Sequence, residues 1–506
     1  MKSYLPALTR HRMLGRLTVL AGLVAASACD TNKLVTVTDP ALLTPKDINT
    51  AAATPGLVQG ALVEFIGGYS GFGDDAFLSS SAVISDEFYY GDTFPTRQAA
   101  DSRNLQPTAL GNISDPAFSR LMQARFNARR AAAQTARFST PGTATADSAT
   151  RAEMRAVEGY VFTTISEGWC SGVPFSSLPD TGAVDPGQVV YGAPLSTAQM
   201  NDSAVIKFNQ ALVLDPTSSL AMIGKARALL NNGQFAAAAA AVATVPTSYV
   251  FLLEHSSNSG NENNPIASLM QNGRYGVANL EGGTTATGTV LRPDIANPAM
   301  TAPNAEGLPF RAAQDPRVPF EKNGDSGRCF TSSILCWVND NYPNFDADVP
   351  LASGVEARLI EAEAALQAGD AATMMQNLND LRANVTSLLG HLYPGQKQTF
   401  FVNGAAATLA PLTDPATAGM TAAQQFAARR NLLFSERAFW LFNTGHRQGD
   451  LRRLVRQYGL TTNQVFPSGP FFRGGLTYGS DVAYPVPFNE LRNTNYSPSA
   501  CSTTAA

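Results

Sequence analysis

The sequence is short of charge, of histidine and of long apolar runs. Asp, Glu, Lys and Arg make up only 15% of 506 residues, the formal net charge is −4, and lysine is scarce. Such a chain has no basic stripe to neutralise a phosphate backbone, which excludes a nucleic-acid partner. There are four histidines, one of them His11 near the N-terminus, and no C-x-x-C. Histidine- or cysteine-built zinc and thioredoxin-type sites are therefore not expected. No nucleophile elbow, zincin motif, phosphate loop or dinucleotide fingerprint occurs. No catalytic residue, metal ligand or cofactor is assigned, and the chain is read as not an enzyme. Acid pairs do occur, at Asp74-Asp75 and Asp86-Glu87. They would hydrolyse a glycoside only if folded about 5–10 Å apart. Solvated loop acids are the commoner reading.

Export is written at the N-terminus. Lys2, Arg10, Arg12 and Arg16 precede a run of 12 residues, Leu17 to Ala28, too short to span a bilayer. The run ends A-S-A-C at Cys29, which resembles a bacterial lipobox. On that reading residues 1–28 are a signal peptide, Cys29 carries lipid, and 29–48 form a tether to the membrane. The other reading is an ordinary A-x-A cleavage with Cys29 incidental. Four cysteines then remain, an even number in an exported protein, which suggests disulfides. Cys329 and Cys336 close a short loop, and Cys170 with Cys501 follows by elimination.

Gly (41) and Pro (31) are plentiful and predict many ordered loops, yet the periodic segments are helical. Apolar residues recur at helical spacing over Asn201–Asp215, Ser218–Asn231 and Gln234–Val245. The order A-x3-F-x2-A-L-x-L-D-P followed by G-x-F-x-x-A resembles the tetratricopeptide repeat. Arg151–Glu167 is another such helix. Ser353 and Glu356 form a capping box before a helix to Gln367, Gly369 closes it, and Asp370 caps the next helix. The fold class is mainly α: stacked helical pairs of tetratricopeptide type, with a large loop-rich, irregular insertion region. The regions are 49–250 (helical), 251–349 (loop-rich) and 350–506 (helical).

The most charged segment is Asn431 to Leu454, with Glu436-Arg437, Gly445, Arg447, Asp450-Leu451 and Arg453 around a block of aromatics. Its pattern resembles the signature of the SusD/RagB family of outer-membrane lipoproteins, roughly E-R-x-x-E-L-x-x-E-G-x-R-x-x-D-L-x-R. Asn443-Thr444 departs from the acidic residue usual before the glycine. Further landmarks resemble the family in order: Arg155–Pro174, Asp315-Pro316-Arg317, Glu356–Arg382, and Tyr484-Pro485-Val486-Pro487 with Glu490 and Asn493. Glu436, Arg437, Arg447 and Asp450 are expected to tie two helices at a partly buried junction, and Trp169 and Trp440 to lie in the core.

The resemblance implies a binding protein at the bacterial surface. It would capture oligosaccharides, or peptides, and deliver them to a SusC-like TonB-dependent transporter. Sugar rings stack on aromatic faces and polar groups choose among them. The candidate ligand residues are Tyr89, Tyr90, Phe94 and Arg97 in one segment, and Arg274, Tyr275, Trp337, Asn339 and Tyr342 in the loop-rich region, while Phe88 is assigned to the core. A periplasmic protein-interaction scaffold without a small ligand is the alternative reading, and a surface hydrolase the third.

Overall fold

A computed structural model of the chain describes residues 49–506, apart from 73, 106–110, 178–188, 280–306, 395–400, 403–404, 407 and 474. The expected signal peptide, Cys29 and the tether to residue 48 lie outside the described residues.

Helices dominate, and each has a local cause. The first is α1 (Thr54–Tyr69), with proline in its opening turn; a short α2 (Phe77–Ile84) and α3 (Pro95–Asp101) flank strand β1 (Phe88–Tyr90). Then come α4 (Asp115–Phe138), α5 (Ala144–Gly168), α6 (Thr197–Leu214), α7 (Ser219–Asn231) and α8 (Phe235–Val242). Helix α5 begins earlier than the apolar period predicts. Its first turn is alanine-rich, and Asp147 there accepts a hydrogen bond from Thr143 Oγ1 at 2.6 Å. Helix α6 starts on a full capping box of Ser196 and Gln199. The C-terminal part holds α10 (Gly354–Ala368), α11 (Ala371–Ala383), α12 (Val385–Leu392), α13 (Ala422–Trp440) and α14 (Arg447–Tyr458), with α9 (Pro265–Gln271) lying before them. Ser353 caps α10, Gly369 ends it at φ +76°, and Asp370 caps α11. The α10 capping box is only half formed: Ser353 accepts the Glu356 N–H, while the Glu356 carboxylate sits 3.1 Å from His446 Nε2.

The helices stack in chain order, α1 on α4, α4 on α5, and onward through α6, α7, α8, α10 and α11. This is a helical-pair scaffold of tetratricopeptide type. Small residues set the closest approach. A Cβ on Gly224 of α7 would stand 2.3 Å from the Phe208 ring of α6, so that ring fills the room a side chain would take. Trp169 and Trp440 are buried, as expected of core residues.

The strands are short and pair in twos, and β2 (Val173–Pro174) runs antiparallel to β3 (Pro194–Leu195). β4 (Val250–Leu253) pairs antiparallel with β8 (Val349–Ser353) and brackets the loop-rich stretch. Inside it, β5 (Tyr275–Val277) pairs with β1, and β6 (Phe320–Lys322) with β7 (Trp337–Asn339). Both expected disulfides are present, Cys170–Cys501 and Cys329–Cys336. Among the described residues, no helix is long and apolar enough to cross a membrane.

Candidate functional site

The site grows from the pairing of β1 with β5. Tyr89 stands opposite Gly276 and Tyr90 opposite Tyr275, joining two segments far apart in sequence. The chain then turns at Gly91. Its N–H donates to the Arg274 carbonyl (2.9 Å), and its own carbonyl accepts the Thr331 N–H (3.0 Å). A Cβ at residue 91 would lie 2.6 Å from Cys329 Sγ and 2.7 Å from the Gly273 carbonyl, so only glycine lets the disulfide hairpin sit this close. The Phe330 N–H donates to the Gly273 carbonyl at 2.9 Å, which anchors the hairpin from its other side.

Two phenyl rings project from this knot. Phe94 is 52% exposed and Phe330 is 48% exposed, unusual for large apolar side chains brought together in a folded protein. The Arg274 guanidinium lies between them, 3.5 Å from the Phe330 ring centroid and 5.7 Å from that of Phe94. Arg274 also donates to Asp92 Oδ1 at 2.6 Å. A second guanidinium, that of Arg473, sits 4.7 Å over the Tyr90 ring and donates to the Asp92 carbonyl at 3.0 Å. Partly exposed Trp337 and Phe472 pack against a small satellite core of Tyr89, Ala278, Ile334 and the disulfide. The Arg311 guanidinium covers one face of Trp337 at 5.1 Å.

Several residues expected to touch ligand are framework instead. Tyr89 is buried, and its hydroxyl donates to the Leu335 carbonyl at 2.9 Å. Tyr90 is buried beneath Arg473. Tyr275 is buried and donates to Asp75 Oδ1 at 2.7 Å. Arg97 is held by Asp75 (2.8 Å) and by Asp92. Burial opposes its charge, but Asp75 raises its pKa overall. Asn339 and Tyr342 point elsewhere: Asn339 accepts from Asn443 Nδ2 at 3.1 Å, and the Tyr342 hydroxyl donates to the Asn443 carbonyl at 2.9 Å. The reason is common to all six. Strand pairing and loop packing turn these side chains inward, and their polar atoms are matched there. Phe94, Arg274 and Trp337 keep exposed surface. Phe330, Phe472 and Arg473 join them without having been singled out. Phe330 lies inside the loop that Cys329 and Cys336 close, and F-F-R-G-G at 471–475 is an aromatic pair before turn glycines; both were visible signals.

No family model and no curated protein matches the sequence. Solved structures do match its shape. A SusD superfamily protein from Bacteroides fragilis superposes with a TM-score of 0.57 at 13% identity, over 88% of this chain and 99% of that one. The chain has the SusD-like fold. A laminarin-binding SusD-like protein superposes at 0.55 with 14% identity, over 88% and 98% of the two chains. A SusD superfamily protein from Bacteroides thetaiotaomicron VPI-5482 gives 0.53 with 13% identity, over 90% and 99%.

Within this SusD-like fold the charged stretch is a buried network of wider reach than one helix junction. Arg437 of α13 makes a bidentate pair with Asp450 of α14, at 2.8 and 2.9 Å. Arg453 joins Asp450 (2.8 Å) to Glu363 of α10 (2.5 and 3.0 Å). Glu436 turns away to Arg317 (2.6 Å) and Arg382 (2.7 Å), and Arg447 to Asp86 (2.6 and 2.8 Å). Apart from Arg382 at its edge, the junction is buried rather than partly buried, and it gathers six segments. Asn443, where the SusD-like pattern usually has an acid before glycine, adopts φ +54°. Asparagine tolerates that left-handed backbone. Its N–H donates to Glu87 Oε1 at 3.0 Å. Of the four acids in the two acid pairs, three are thus committed internally, Asp86 to Arg447, Glu87 to Asn443, and Asp75 to Arg97 and Tyr275, while Asp74 is exposed with one 3.4 Å contact to Arg97.

A separate cavity of about 320 Å3 lies among residues of the C-terminal tail and the start of α4, including Asp115, Val486, Phe488, Leu491 and Tyr496. Among the described residues, no group of three or more His, Cys, Asp or Glu side chains is placed to hold a metal ion.

Proposed function

We propose that this protein is a glycan-binding lipoprotein of the outer membrane that captures oligosaccharides on the Phe94–Arg274–Phe330 platform and passes them to a SusC-like TonB-dependent transporter. The observation that carries the reading is the pair of exposed phenyl rings, fixed by backbone hydrogen bonds and a disulfide rather than carried on a free loop. A rigid apolar face is what a sugar ring stacks on, and preorganisation spares the entropy of ordering it. The SusD-like fold supports the choice of glycan, since one matching structure is of a laminarin-binding protein. The lipobox-like A-S-A-C supports the anchor, with Cys29 as the lipidated residue. In each acid pair at least one carboxylate is committed to an internal partner, which weighs against a pair acting together in hydrolysis.

Calorimetry of the full chain in mild detergent against oligosaccharide and peptide panels tests this. Saturable binding to an oligosaccharide, weakened about tenfold or more by Phe330→Ala and by Phe94→Ala, is expected for lost stacking faces. Binding confined to peptides, or untouched by both substitutions, would overturn the reading.

A further inference from the structure

We infer that the platform is built for an acidic glycan, one whose rings carry carboxylates, with Arg473 and Arg274 as the groups that read the charge. This rests on the glycan reading above. Many of the chain's arginines are matched to a carboxylate. Arg227 is matched to Glu167, Arg317 to Asp315 and Glu436, Arg437 to Asp450, Arg447 to Asp86, and Arg453 to Glu363. Leaving a guanidinium without an anion in a partly desolvated place is costly, so those pairings are what physics demands.

The pairing is not universal: buried Arg452 sits on the carbonyls of Ser166, Glu167 and Trp169 in the core, and Arg473 is such a case at the surface beside the platform. It is only partly exposed, and among the described residues no carboxylate lies within ion-pair distance of it. Its neighbours are a carbonyl, Asp92 O at 3.0 Å, and a hydroxyl, Thr331 Oγ1 at 3.4 Å. A guanidinium has five N–H donors in a planar fork suited to a carboxylate. The Tyr90 ring beneath it, 4.7 Å away, holds it in place.

Arg274 converges on the same point. It reaches Asp92 through the carboxylate, as Arg473 does through the carbonyl, so the two cations flank a single residue. The Asp92 carboxylate is fully buried and already shared with Arg97, and Asp74 is engaged by Arg97 at 3.4 Å. Arg274 keeps 23% of its side chain exposed, directly over the Phe330 ring. A stacked ring bearing a carboxylate would thus meet phenyl carbon and guanidinium together. A neutral ring would use the phenyls alone.

The test pairs each acid with its own neutral control. Uronic-acid oligomers of several linkages, and the same oligomers with carboxylates reduced to primary alcohols, are titrated into the full chain at low and high salt. The expected result is a preference for the acid form of about tenfold or more, the worth of one charge-assisted contact, shrinking as salt rises. Arg473→Gln should erase most of that preference, Arg473→Lys should restore part of it, and Phe330→Ala should weaken both forms. Unaltered melting of the Arg473 variants excludes a folding defect. Equal affinity for acid and reduced forms, or a preference that survives Arg473→Gln, would overturn the acidic assignment while leaving the glycan reading intact. Acidic peptides binding where no oligomer does would overturn both.

Discussion

Asp450 is the hinge of the buried charge network, and changing it to asparagine gives a sharp expectation. The carboxylate takes three hydrogen bonds, two from Arg437 and one from Arg453. Arg453 retains Glu363 when Asp450 is neutralised. Arg437 retains only a Glu363 oxygen at 3.8 Å, and becomes a buried cation without a close partner. Breaking a buried pair from one side costs about 3–5 kcal/mol. Residues 51–506 form one unit, and at roughly 2.1 cal/mol/K per residue its unfolding entropy is about 1 kcal/mol/K. Asp450→Asn should therefore lower the melting temperature by about 3–5 °C at pH 7, read by scanning calorimetry. Replacing both partners, Arg437→Met with Asp450→Leu, should recover much of the loss, because no uncompensated charge remains. The neighbouring arginines hold the Asp450 carboxyl below the usual carboxylate range, although burial alone would raise it. Its contribution is therefore present above the unfolded carboxylate pKa, near 4, and is lost as pH falls towards the folded value. The gap between parent and Asp450→Asn should close in acid. A variant melting within about 1 °C of the parent at pH 7, or a double variant no better than the single, would refute the reasoning.

Glu87 predicts the opposite pH behaviour. Burial pushes its pKa up to about 8 against the Asn443 N–H, so the native state holds a proton that the unfolded chain releases above about pH 4.5, and stability falls as pH rises from there to 8. Glu87→Gln, which keeps an acceptor for Asn443, should gain melting temperature over the parent from pH 5 to pH 9; a pH-independent difference would contradict this. The two disulfides should differ in worth. Removing Cys329–Cys336, seven residues apart, should cost about 2–3 kcal/mol and quicken amide exchange across 328–337, whereas removing Cys170–Cys501, 331 residues apart, should cost more in denaturant titration. Gly224→Ala should destabilise by about 1–3 kcal/mol through overpacking on Phe208, and Phe208→Leu in the same chain should relieve part of it.

What was legible in the sequence was local. Ser353, Gly369 and Asp370 cap the helices that the apolar period outlines, because caps and period act within a few residues. Distant charge partners were not legible. Arg447 meets Asp86 across 361 residues and Arg317 meets Glu436 across 119, so no spacing rule links them. The site suffered the same way. Tyr89, Tyr90 and Tyr275 share the aromatic character of Phe94, yet β1–β5 pairing buries the three tyrosines and leaves the phenylalanine exposed. Residue type marked the neighbourhood of the site, and only tertiary packing chose which side of it faces solvent.

The most direct test of the central claim is a crystal structure of the protein with a bound oligosaccharide from the binding panel. The expected result is a sugar ring stacked on Phe330 or Phe94, about 4–5 Å from the phenyl plane, with polar contacts to Arg274 or Arg473. A sugar lodged instead among Phe488, Leu491 and Tyr496, or anywhere that leaves both phenyl rings bare, would contradict it.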